Sequence, residues 1–218
     1  MSAKPTVFVT RKLPVAVENR LQRDYQARLN PDDRLYSRDE LVEYARGAQA
    51  ILPCHTEHFT ADVFQRLPAE VRIIANFSVG YDHVDLDAAR IKGIVVTNTP
   101  DVLSDATAEL TMMLMIGAAR RAGEGEKLVR ERLWKDWSPA FMVGTQVTGK
   151  RLGILGMGRV GRVVARRARG FDMRIHYHDI RPVEGSDEGV YHETLQAMLP
   201  HCDFLSLHCN VTPATRGL

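Results

Sequence analysis

A chain of 218 residues, 44% hydrophobic and 26% charged, has the make-up of a soluble globular protein, with length for one large domain or two small ones. Its 29 basic and 27 acidic residues leave a net charge of +2, a balance that gives nucleic-acid binding no compositional support. Cys54, Cys202 and Cys209 are too few and too widely spaced for a disulfide framework or a CxxC pair, and the N-terminal stretch has no signal-peptide apolar region, so a reducing, cytoplasmic setting is expected.

In chain order, Thr6–Thr10 is β-branched and apolar and predicts a strand, with Pro14 in a turn or at a helix start. A helix is expected over Val15–Leu29, a turn at Asn30-Pro31-Asp32-Asp33 and a short helix over Asp39–Ala45. Ala50–Leu52 predicts a buried strand running into Pro53, followed by a helix over Ala61–Leu67 and a strand over Val71–Asn76. A helix over Asp85–Lys92 is stopped by Gly93, and Ile94–Asn98 predicts another strand. Strands and helices thus alternate before residue 100, the pattern of an α/β domain with a mostly parallel sheet.

A long helix is expected from Ser104, a possible cap, to Arg121, about 27 Å at 1.5 Å per residue. Its run Leu110–Ala119 is about half the length that crosses a bilayer, so a buried core helix is expected rather than a membrane span. A charged helix follows over Ala122–Leu133, then Trp134 and Trp137 in a loop ending at Pro139. A second series then predicts strands at Arg151–Leu155, Met173–Tyr177 and Phe204–His208. Between them lie helices at Arg159–Arg169 and Thr194–Leu199 and a polar loop over Pro182–Gly189.

The stretch Gly153–Gly161 contains Gly156-Met157-Gly158-Arg159-Val160-Gly161, a GxGxxG pattern. In a dinucleotide cradle Gly156 makes the tight turn, Gly158 lets the backbone approach the pyrophosphate and Gly161 allows close helix–strand packing. The helix start then offers N–H groups and a favourable dipole to phosphate, and Arg159 stands close enough to touch it. The motif alone also fits a βα turn that binds nothing; its context favours the cradle. A strand precedes it, a helix follows, and the next strand leads to Asp179, 23 residues after Gly156. A carboxylate there accepts hydrogen bonds from ribose hydroxyls and favours NAD, whereas neighbouring His178 and Arg181 would suit the 2′-phosphate of NADP. Arg162, Arg166 and Arg169 recur at helical spacing and are expected on a solvated face. A nucleic-acid-binding reading would rest on that helix alone.

Together with two earlier stretches, Asn76–Asp85 (NFSVGYDHVD) and Asn98-Thr99-Pro100-Asp101 through Thr107-Ala108-Glu109, the cradle resembles the D-isomer-specific 2-hydroxyacid dehydrogenases, most closely the glyoxylate/hydroxypyruvate reductases. The resemblance is loose to about residue 70 and close after it. It implies a flavodoxin-like substrate domain over residues 1–100 and a Rossmann-type cofactor domain over residues 101–218. It implies that the backbone of Val79 and Gly80 holds the substrate carboxylate, as N–H groups in a turn can. Thr107 would sit beside the nicotinamide, Gly156, Gly158, Arg159, Val160 and Gly161 at the pyrophosphate, and Asp179 at the ribose. His208, Cys209 and Thr212 match the strand end and loop near the cofactor ribose, with Asn210 where relatives usually carry proline. An isolated Ser-Val-Gly also fits a plain strand-end turn, and Thr107 a hydroxyl satisfying its own helix start. The segment with His55, Glu57 and His58 lines the cleft in relatives and receives no role. The resemblance also implies a homodimer built on the region from the long helix to Trp134, and no metal.

Reduction of a 2-keto acid needs a cation for the carboxylate, an acid for the developing alkoxide and a carboxylate to tune that acid. The family's Arg, His and Glu lie beyond the motif that ends this sequence at Leu218, and neither His83 nor His208 matches them. The cofactor sheet is therefore expected to stop after its first half, about three strands into six. The chain alone is expected to be inactive, a cofactor-binding or dimerisation module being the alternative to an enzyme.

Overall fold

Apolar β-branched residues in Thr6–Val9 (β1) put Phe8 on one face of a sheet and Val7 and Val9 on the other, and both faces are buried. The computed structural model describes residues 3–184, 189–212 and 215–218, and the chain forms two compact units, one to Val102 and one from Leu103.

In the first unit β1 is followed by α1 (Val15–Asp24), β2 (Gln26–Arg28), α2 (Arg38–Tyr44), β3 (Ala50–Leu52), α3 (Ala61–Arg66), β4 (Ile73–Ala75), α4 (Leu86–Lys92) and β5 (Val95–Thr97). The strands are all parallel in the order β2-β1-β3-β4-β5, with Phe8 opposite Ile51 and Ile51 opposite Ile74. This is the flavodoxin-like order, whose two directions of growth diverge between β1 and β3. Phe8, Ile51 and Ile74 pack with Leu41, Phe59 and Val63, while Val7 and Val9 pack with Leu13 and Leu21. Ser37 and Glu40 close a capping box on α2, Asp85 caps α4 through Ala88 N–H at 2.9 Å, and Gly93 ends α4 at φ 72°.

One expected element is corrected here. The helix over Val15–Leu29 ends at Asp24, and Gln26–Arg28 forms edge strand β2 on β1. Gln, Ala and Arg favour helix locally, but the unpaired edge of β1 offers a backbone ladder that outweighs so weak a preference.

The second unit runs through α5 (Ser104–Ala119), α6 (Ala122–Arg130), β6 (Arg151–Leu155), α7 (Arg159–Ala168), β7 (Arg174–His178), β8 (Val190–Tyr191), α8 (Leu195–Met198) and β9 (Phe204–Leu207). Its parallel sheet has the order β8-β7-β6-β9, which is 3-2-1-4 in the order the strands leave the chain. Leu152 and Ile154 of β6 pack with Val164, Ala165 and Ala168 of α7 and with Ala108 and Met112 of α5. Arg167 fastens the two helices, donating to Asp105 at 2.9 Å and Glu109 at 3.3 Å.

Four expectations change in this unit. β8 adds a strand to the three expected, because Val190 and Tyr191 pair with His176 and Tyr177. Leu103, not Ser104, is the N-cap residue of α5, and no side chain caps it. α6 ends at Arg130 rather than Leu133. The apolar run of α5 is only partly covered within its unit: Met112 is buried, but Leu110, Met113 and Leu114 are all more than half exposed. Residues 185–188 of the polar loop lie outside the described residues. No helix among the described residues is long and apolar enough to cross a membrane.

On the face of β7 opposite Ile175 and Tyr177, three imidazoles gather. His176 Nδ1 lies 3.0 Å from His192 Nε2, and the His201 ring stacks on His176 at 5.5 Å and on His192 at 5.2 Å. Burial lowers the pKa of His176, helped by His192, His201, Arg151 and Arg174; burial, His201 and His178 lower that of His192. A lowered histidine pKa means the unfolded chain binds more protons, so stability is full above the ordinary value of 6.5 and is lost as pH falls below it. The unfolding temperature of the second unit should therefore drop between about pH 7.5 and about pH 5.5. His201→Gln should flatten that drop; equal pH dependence in calorimetric scans of both proteins would contradict the account.

Candidate functional site

Because β6, β7 and β9 are parallel, their carboxyl ends share one sheet edge, and the sheet's direction of growth reverses between β6 and β9. Gly156 leaves β6 there at φ +94° and donates its N–H to His178 O at 2.9 Å. A Cβ on Gly156 would lie 2.7 Å from both Cys209 N and His208 C, so the β9 backbone passes where a side chain would stand. Gly161, one turn into α7, faces back: its Cβ would lie 2.2 Å from Gly156 O. Gly158 is the N-cap of α7, has no side chain to cap it and borders open space. Strand, turn and helix therefore approach to backbone contact, and the N-cap of α7 carries no side chain to bond its first N–H groups, which fits a pyrophosphate.

Asp179 follows β7 and turns its carboxylate into this turn. Oδ2 accepts Met157 N–H at 2.7 Å and Oδ1 accepts Ile180 N–H at 2.7 Å. Each oxygen keeps acceptor capacity for a ribose hydroxyl. His178 Nδ1 lies 2.9 Å from His192 O, while Arg181 is exposed. Arg159 is exposed and Val160 half-buried in the first turn of α7.

His208 donates its N–H to Leu155 O at 2.7 Å, and its Nε2 lies 2.8 Å from Ser206 Oγ. Burial pushes its pKa down, so the ring is neutral at neutral pH. Cys209 beside it is half-buried. Thr212 is exposed: its N–H reaches Thr215 Oγ1 at 2.7 Å, and Thr215 Oγ1 in turn donates to Asn210 O at 2.7 Å. Thr107 lies half-buried in the first turn of α5 and carries Thr111 Oγ1 on its carbonyl at 2.9 Å. The helix hydroxyl that bonds backwards is thus Thr111.

In the first unit, Val79 and Gly80 follow β4 at the carboxyl edge of its sheet. Asn98 Nδ2 donates to Val79 O at 2.9 Å, Ser78 Oγ to Gly80 O at 2.7 Å and Thr99 N–H to Ser78 O at 2.9 Å. The loop carbonyls are thus held by the protein, whereas among the described residues the N–H groups of Val79 and Gly80 make no hydrogen bond. Two such N–H groups suit an anion. His83 is buried, with Nε2 3.1 Å from Asn76 Oδ1, and burial lowers its pKa. It is a neutral structural ring closed to solvent. Asn98 and Ser78, which lie in the stretches that carry the resemblance, and the Met157 N–H hold the two loops, a role the sequence did not assign them. Among the described residues no cluster of three or more His, Cys, Asp or Glu side chains is arranged to hold a metal ion.

Gly161→Ala should destabilise the ligand-free chain by about 1–3 kcal/mol, since the added methyl meets backbone. Gly158→Ala meets open space and should leave the unfolding temperature unchanged. Thermal unfolding of the two variants side by side checks the contrast.

Residues 112–218 match the family model described as D-isomer specific 2-hydroxyacid dehydrogenase, NAD binding domain. The chain is 40% identical over 218 residues to glycerate dehydrogenase of Hyphomicrobium methylovorum, covering 98% of itself and 68% of that protein. It is 41% identical over 215 residues to glyoxylate reductase of Korarchaeum cryptofilum (strain OPF8), covering 97% of itself and 64% of that protein. A crystal structure from Polaromonas sp. JS6 66, assigned to the NAD-binding D-isomer specific 2-hydroxyacid dehydrogenases, superposes with a TM-score of 0.90 at 39% identity, over 97% of this chain and 67% of that one. The chain thus spans about two thirds of the length of these relatives. With its two parallel sheets and its glycine turn, it belongs to the D-isomer specific 2-hydroxyacid dehydrogenase family.

Proposed function

We propose that the chain supplies the carboxylate-binding and dinucleotide-binding parts of an NAD-linked reductase that converts a small 2-keto acid, glyoxylate or hydroxypyruvate, to the 2-hydroxy acid. The observation that carries this reading is the turn at Gly156, closed at backbone distance by β9 and α7 and buttressed by the Asp179 carboxylate. The names of the relatives, glyoxylate reductase and glycerate dehydrogenase, support the substrate class. Residues 1–100 serve as the first part of the substrate domain and residues 101–218 as the cofactor domain.

Gly156, Gly158, Arg159, Val160 and Gly161 hold the pyrophosphate through the N–H groups at the start of α7. Asp179 accepts the ribose hydroxyls, with His208, Cys209 and Thr212 on the neighbouring strand end and loop. Thr107 stands beside the nicotinamide. The bound reduced cofactor supplies the hydride for the keto carbon. Val79 and Gly80 hold the keto acid's carboxylate through their N–H groups. Asp179 favours NAD, because a carboxylate repels a 2′-phosphate; exposed Arg181 is the feature that would accommodate NADP. Neither His83, enclosed beside Asn76, nor His208, beside Ser206, is placed as the proton donor. The 218-residue chain by itself binds NADH weakly and reduces no glyoxylate. The three unbridged cysteines fit a cytoplasmic enzyme.

The exposed apolar residues of α5, with Trp134 at 56% and Trp137 at 74% exposure, support a homodimer through this region. An open groove of about 620 Å³ beside α6, lined by Leu128, Leu133 and Phe141 among others, contains none of the cofactor-site residues.

Titrating NADH into the isotope-labelled chain should shift the amides of Met157 to Gly161. Asp179→Ala should weaken NADH by about tenfold or more, one charged hydrogen bond's worth, and NADPH less. NADH shifts confined to other residues would refute the cofactor assignment, and glyoxylate turnover by the 218-residue chain would overturn its expected inactivity. Leu114→Glu should shift the sedimentation coefficient from dimer to monomer; an unchanged coefficient removes α5 from the interface.

A further inference from the structure

Glu57 is the one buried acidic residue among those described, at 2% exposure, and neither the fold's core nor the functional reading uses it. Its Oε2 accepts Thr10 Oγ1 at 2.7 Å and Cys54 N–H at 2.9 Å, and its Oε1 accepts Thr56 Oγ1 at 2.7 Å. Thr10 follows β1 and is fully buried; Cys54 and Thr56 lie in Glu57's own loop after β3. Arg11, paired with Asp33 at 2.8 Å, donates to Thr56 Oγ1 at 2.9 Å and stands one hydroxyl away from the carboxylate. A buried carboxylate with no cation in direct contact is costly, and an apolar side chain would fill such a site at less cost. What the carboxylate gives in return is geometry: three donors drawn to one point fix the loop after β3 to the end of β1.

That loop is laced to the one carrying Val79 and Gly80. Phe77 N–H donates to Pro53 O at 2.8 Å at one end. At the other, Phe59 N–H donates to His83 O and Asp85 N–H to Phe59 O, both at 2.9 Å. Residues 53–59 and 77–85 are therefore joined at both ends, with Glu57 anchoring the first and Val79 and Gly80 lying within the second.

We propose that Glu57 is a positioning residue: it anchors the loop after β3 and through it sets the Val79–Gly80 loop in the shape that binds the substrate carboxylate. The inference rests on the reading of Val79 and Gly80 as the carboxylate-binding loop. Two readouts separate the two ideas. In the labelled full chain without ligand, Glu57→Gln should speed amide exchange at Phe59 and Phe77 by roughly tenfold, the effect of one lost hydrogen bond. The core truncation Leu41→Ala should lower the unfolding temperature without that local pattern. With oxalate as the probe, wild type should show saturable shifts of the Val79 and Gly80 amides, and Glu57→Gln should bind it roughly tenfold more weakly. Should Glu57→Gln fail to fold, Thr10→Val, which removes one donor and keeps the carboxyl group, carries both readouts. Unchanged exchange at Phe59 and Phe77, or unchanged oxalate affinity, in a folded variant overturns the role of Glu57. If oxalate leaves the wild-type Val79 and Gly80 amides unmoved, the carboxylate reading falls instead, and the exchange data still decide whether Glu57 sets the loop.

Discussion

The second unit depends on a backbone contact with no room for a side chain. Where β6 ends, Gly156 lies against the backbone of His208 and Cys209, and Gly161 presses back on Gly156 O from α7. Three elements thus meet at van der Waals distance, which a Cβ at either glycine would prevent. The consequence reaches the chemistry of the site. The start of α7 is brought to the carboxyl edge of the sheet, and its N-cap, Gly158, makes no side-chain cap. The same turn places Met157 N–H within 2.7 Å of Asp179, so the carboxylate both supports the glycine turn and borders the space beside it.

The first unit uses a different device. Its sheet edge is built from loops whose carbonyls are held by side chains, Asn98 and Ser78 among them, while the N–H groups of Val79 and Gly80 make no hydrogen bond among the described residues. Five polar residues of this unit, Thr10, Asn30, Glu57, Asn76 and His83, are buried. Asn30 Nδ2 donates to Thr10 O at 2.7 Å, so the ends of β1 and β2 are fastened by the same kind of bond that fastens the loop after β3. The set is not fully paired, since Asn76 Nδ2 and His83 Nδ1 find no hydrogen-bond partner among the described residues.

Most of the strands and the glycine turn were legible in the sequence because they rest on local rules. Alternating apolar residues, a Gly after a helix and glycines at fixed spacing reflect steric limits that any chain obeys. β2 and β8 escaped for the opposite reason. Gln26–Arg28 and Val190–Tyr191 are three and two residues long, and only the neighbouring strand edge makes them strands. The exposed face of α5 escaped as well, since an all-apolar helix gives no sign of which side its own unit covers.

The sequence by itself determined the α/β class, the position of the glycine turn and of the carboxylate, Asp179, that follows the next strand. Each follows from residue type at a fixed spacing along one stretch of chain. Only the tertiary structure decided that Asp179 bonds Met157 N–H, that His208 and Cys209 wall the turn, and that three histidines stack on β7. It alone also showed Glu57 buried with Thr10, Cys54 and Thr56 donating to its carboxylate. The contacts of Asp179 with Met157, of Gly156 with Cys209 and of Glu57 with Thr10 join residues 22 to 53 positions apart. Such distances in sequence carry no local signal, because the free energy that selects the contact comes from burying a whole sheet and not from the residues that meet.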